Sequence, residues 1–75
     1  MSDFSRALAT HYKERCRADA MRAGSQAIES CWDAADAVKA GDGIGAAMHM
    51  GAAAGFCGVA AVLGAIAWAI RPEGA

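Results

Sequence analysis

From Ile44 to Ile70 the chain carries no formally charged residue, a run of about 27 positions between Asp42 and Arg71. At about 1.5 Å rise per residue, a helix of that length measures roughly 40 Å, more than the roughly 30 Å hydrocarbon layer of a bilayer. The run predicts one transmembrane helix over 44–70, opened by Gly41-Asp42-Gly43 and followed by a short tail, 71–75. Its central part, Gly51 to Ile70, holds eight Ala and four Gly, so its apolar drive is modest beside that of a Leu-rich span. Stable insertion then draws on a partner. The competing reading buries the same helix inside a protein polymer or a larger complex.

Seventy-five residues seldom bury a self-sufficient core without staples, metal or partners. Every acid and base except Arg71 and Glu73 lies at or before Asp42, so the chain has two parts of different character. Net charge is −1, which supplies no basic field for nucleic acid. Three cysteines, Cys16, Cys31 and Cys57, form no C-x-x-C pair and argue against a disulfide framework or a zinc finger. Residues 1–15 lack the apolar segment of a secretory signal. The expected location is the bacterial inner (cytoplasmic) membrane, amino end in the cytoplasm.

Residues 1–43 read as an amphipathic helical region. Ser2 or Asp3 can cap its start, and Phe4, Leu8, Tyr12 and Cys16 recur at spacing four. Gly24-Ser25 offers a glycine stop and a fresh cap, after which Ile28, Cys31, Trp32, Ala35 and Val38 mark a second stripe on another side. Two organisations fit: a helix pair over about 3–23 and 26–40, docked with opposite charges facing, or one long bent helix. The fold class is all-α either way, an amphipathic helix or helix pair followed by one Gly/Ala-rich span.

On the wheel of the third segment, Phe56, Val59, Leu63, Ile66 and Ile70 gather on one bulky, lipid-facing stripe. Ala47, Gly51, Ala54, Gly55, Gly58, Ala61 and Ala65 collect on the other side, and Gly51-x-x-x-Gly55 is a GxxxG step. In lipid, helices associate through close backbone approach and van der Waals fit, which a smooth face of this kind permits. Trp68 and Arg71 suit the far interface as an amphipathic ring and a snorkelling cation.

Met48, His49 and Met50 are consecutive, so their side chains diverge by about 100° each and cannot close on one ion. His49 alone could serve as an axial ligand to haem or chlorin. Gly45, four before it, makes the pair similar to the pigment-binding helix of bacterial light-harvesting polypeptides, whose aromatic cluster after the His is absent here. No metal site and no catalytic set is expected: His11 and His49 lie in different environments, and no phosphate loop or paired inward carboxylates occur.

These features point to a small single-pass accessory or assembly subunit that packs through its Gly/Ala face onto a larger membrane complex, respiratory, photosynthetic or transport-related. The expected partners are membrane lipid and that complex or further copies of the chain, with no nucleic acid. A self-assembling helical protein is the alternative: the chain resembles filamentous-phage coats in its short, Ala/Gly-rich helical make-up, but lacks their basic carboxyl tail. A holin-like membrane protein is the third reading.

Overall fold

A computed structural model describes residues 2–72. It contains two helices, α1 (Asp3–Lys39) and α2 (Gly43–Ala69), joined by a three-residue turn and packed antiparallel. The molecule measures 58 × 12 × 12 Å, with a radius of gyration of 17.1 Å. A compact globule of this length would have a radius of gyration of about 11 Å. The described residues therefore form a bare hairpin with no third layer, and no side chain among them is fully buried. All-α architecture with a single apolar second helix is the class expected.

α1 begins where Ser2 accepts the Ser5 amide at 3.1 Å, with Asp3 in the first turn complementing the helix dipole. It then runs for 37 residues without stopping at Gly24-Ser25, so the long single helix, and not the pair 3–23 and 26–40, is the organisation adopted. A mid-helix glycine costs about 1 kcal/mol relative to alanine. Tertiary packing offsets that cost, because Ala23 and Ala27 on either side of the glycine are both buried against α2. The two oppositely charged halves stay end to end and do not face each other.

The seam explains the pairing. On α1, Ala9, Cys16, Ala23, Ser30 and Ala37 recur every seven residues, interleaved with Lys13, Ala20, Ala27 and Ala34, and every one of these is buried or half-buried. On α2 the same spacing gives Ala46, Ala53, Ala60 and Ala67, flanked by half-buried Leu63 and Gly64. Lys13 lies level with Ile70 at the open end, donating from Nζ to its carbonyl at 3.0 Å. Counting from that pair brings Cys16 level with Ala67, Ala23 with Ala60, Ser30 with Ala53 and Ala37 with Ala46. Small residues meet small residues in register, the condition for two helices to approach at the short end of the usual 8–10 Å range.

The turn is specified locally. Gly41 has φ +76°, its amide bonds the Val38 carbonyl at 3.0 Å and the Asp42 amide bonds the Ala37 carbonyl at 2.8 Å, the two bonds of a Schellman cap. Asp42 then caps α2 by accepting the Gly45 amide at 2.8 Å. A Cβ at Gly45 would run into that carboxylate, which accounts for the glycine there. Gly41→Ala should destabilise the hairpin by about 1–2 kcal/mol, the left-handed penalty for a residue with a Cβ. Thermal unfolding followed by circular dichroism checks it: a loss of roughly 4–8 °C per kcal/mol is expected, and Gly41→Asn should lose less.

Candidate functional site

α2 presents three faces. The first is the alanine seam held by α1. The second is the bulky stripe, which lies beside the seam: Leu63 and Ile70 are half-buried against α1, Val59 and Ile66 are exposed, and Phe56 stands at the border at 36 %. The third is the small-residue face. Ala47, Gly51, Ala54, Gly55, Gly58, Ala61 and Ala65 are all exposed and point away from α1. A side chain added at Gly51, Gly55 or Gly58 would meet nothing within 4 Å. Ala54, Gly55, Gly58, Val59, Val62 and Leu63 line a shallow apolar groove between this face and the bulky stripe.

α2 is the one described helix long and apolar enough to cross a membrane, and only 11 % of its most apolar window is buried. Ile44, Met48, Met50, Val59, Val62 and Trp68 all stand in the open. An apolar surface of this continuity is unusual on a soluble monomer and marks contact with lipid or protein.

α1 borders the bulky stripe with polar groups. Arg15, Asp19, Arg22 and Gln26 form a groove with Phe56, Val59 and Leu63. Asp19 is shared by two arginines, 2.9 Å from Arg22 and 3.9 Å from Arg15. At the open end, Leu8, Tyr12 and Cys16 line a shallow groove together with Ile66 and Ile70. The first apolar stripe of α1 thus borders α2. The second stripe does not: Ile28, Cys31 and Trp32 are exposed on the side away from α2, so Cys31 does not line the helix interface, whereas Cys16 does.

The remaining candidate residues stand apart. Arg71 lies 5.7 Å over the Trp68 ring, a cation–π pair at the end of α2 where both were expected as interface anchors. The tail beyond Pro72 lies outside the described residues. His49 is exposed in the second turn of α2, and no group of three or more His, Cys, Asp or Glu that could hold a metal ion occurs among the described residues. His11 makes an edge contact with Tyr12, centroids 5.6 Å apart.

The seam itself is the element that tracking large apolar residues misses. Its signal is a seven-residue recurrence of small residues, Ala, Cys and Ser on α1 and Ala on α2, that continues past Gly24 without a break. Small residues carry little weight in a hydrophobic wheel, although they decide how closely two backbones approach.

No family model, no curated protein and no solved structure matches this chain.

Proposed function

We propose that the protein is a small single-pass accessory or assembly subunit of a larger membrane complex, respiratory, photosynthetic or transport-related, with a structural and non-catalytic role. α2 spans the bacterial inner membrane, amino end in the cytoplasm, and its outer Gly/Ala face docks on a helix of the complex. The observation that carries this reading is the combination on one helix: membrane-spanning length, almost no burial by the rest of the chain, and open space beside Gly51, Gly55 and Gly58. In lipid, a partner backbone can close on such a face where a face of Leu or Phe would hold it off. The heavily charged α1 is the harder part to translocate, which favours keeping it on the cytoplasmic side.

Purification in mild detergent, followed by mass spectrometry of co-purifying chains, tests the proposal. The wild type should carry one or more membrane proteins in stoichiometric amount, and Gly51→Leu/Gly58→Leu should lose them at least tenfold while keeping its helix content. Recovery of further copies alone would assign the face to self-assembly. Recovery as a monomer, unchanged by the substitutions, would overturn the docking face.

A further inference from the structure

We propose that the hairpin is a closed, water-borne form and that α1 is released from α2 when α2 enters a bilayer, the turn at Ala40–Asp42 serving as the hinge. The inference rests on reading α2 as a membrane span, and it follows from where α1 places its charges. Arg15, Asp19 and Arg22 lie alongside Phe56, Val59 and Leu63, within a few residues of the midpoint of the uncharged run. If the closed hairpin entered lipid intact, these groups would sit near the hydrocarbon centre. Each charge there opposes insertion by about a hundredfold, and the Asp19 carboxylate can neutralise only part of the two arginines. Further along α1, Glu29, Asp33 and Asp36 are exposed and would have to follow. The span and the closed hairpin therefore exclude each other.

The seam is built to be given up. What it buries is six alanines and one serine, and among the described residues a single hydrogen bond, Lys13 to the Ile70 carbonyl, joins the two helices away from the turn. Alanine loses little on re-exposure because it has one methyl group to hydrate. In water the seam still covers one face of α2; in lipid that face is solvated by acyl chains and α1 has nothing left to offer it. The joint is short and open: three residues separate the helices, and nothing stands within 4 Å of a side chain added at Gly41 or Gly43. Once released, α1 keeps its charges in the aqueous phase at the membrane surface.

The test uses the full chain with Cys16, Cys31 and Cys57 replaced by Ser and spin labels on cysteines introduced at Ala18 and Ala65, exposed positions level with each other. In buffer the two labels should report a short, hairpin distance. On vesicles of phosphatidylethanolamine and phosphatidylglycerol, with insertion scored by resistance to alkaline extraction, the distance should lengthen to roughly 45 Å, as for two helix arms of about 22 residues at right angles. A second variant, Ser30→Cys/Ala53→Cys, locks two buried, facing seam positions. Its oxidised form should insert at least tenfold less than its reduced form. Insertion with the short distance retained, or equal insertion of locked and reduced forms, would overturn the hinge while leaving the span intact. Failure of every form to insert would overturn the span, and the hinge with it.

Discussion

Val59→Arg should lower the membrane-inserted fraction of the protein about a hundredfold while leaving the hairpin in water folded. Position 59 lies close to the centre of the uncharged run, where a guanidinium costs about 2.5–3.5 kcal/mol in a span. The span tolerates that loss poorly, because eight Ala and four Gly in its central twenty residues leave little surplus of apolar drive. In the hairpin the same side chain is half-exposed, at 50 %, beside the Asp19 carboxylate groove, so the arginine can reach water without displacing the seam. Alkaline extraction of membranes separates the two effects from circular dichroism of the soluble form. Retained insertion of Val59→Arg would show that α2 lies in a protein environment and not in lipid.

Two kinds of sequence signal fared differently. The uncharged run of Ile44–Ile70, a first cap at Ser2 or Asp3, the cap at Asp42 and the glycine turn were legible, because charge, capping and positive φ act locally and leave their mark at one or two residues. The continuity of α1 was left open between one long helix and a pair, since Gly24-Ser25 looks like a stop when considered alone. What keeps the helix going is contact with α2 through Ala23, Ala27 and Ser30, partners dozens of residues away. The apolar stripes misled for a related reason. With two helices there is no interior large enough for Ile28, Trp32 or Phe4, so these stay exposed while alanines take the inside. The outer Gly/Ala face was visible on a wheel, but the inner seam one-third of a turn away was not distinguished from it, since both are made of the same residues.

That distinction gives the second large effect. Ala53→Leu should destabilise the hairpin by about 1–3 kcal/mol, whereas Ala47→Leu should change it by less than about 0.5 kcal/mol. Both substitutions put the same side chain on the same helix, and leucine is nearly as good a helix former as alanine, so local propensity predicts no difference. The difference lies in what each position faces. Ala53 is 5 % exposed and level with buried Ser30, and the three carbons a leucine adds there, a methine and two methyls, must push the two backbones apart along a seam whose contacts all depend on one spacing. Neighbouring pairs, Ala23 with Ala60 and Ala37 with Ala46, would lose contact together, and Lys13 would be drawn away from the Ile70 carbonyl. Ala47 is exposed and away from α1, and a leucine there meets solvent or a docking partner. Thermal unfolding of the two variants in dilute aqueous solution reads the contrast directly. Detergent pull-down should invert it, with Ala47→Leu weakening partner recovery and Ala53→Leu leaving it intact, because a seam that opens on insertion no longer requires a small residue at position 53. Equal loss of stability in both variants would mean that the hairpin is not held by this seam.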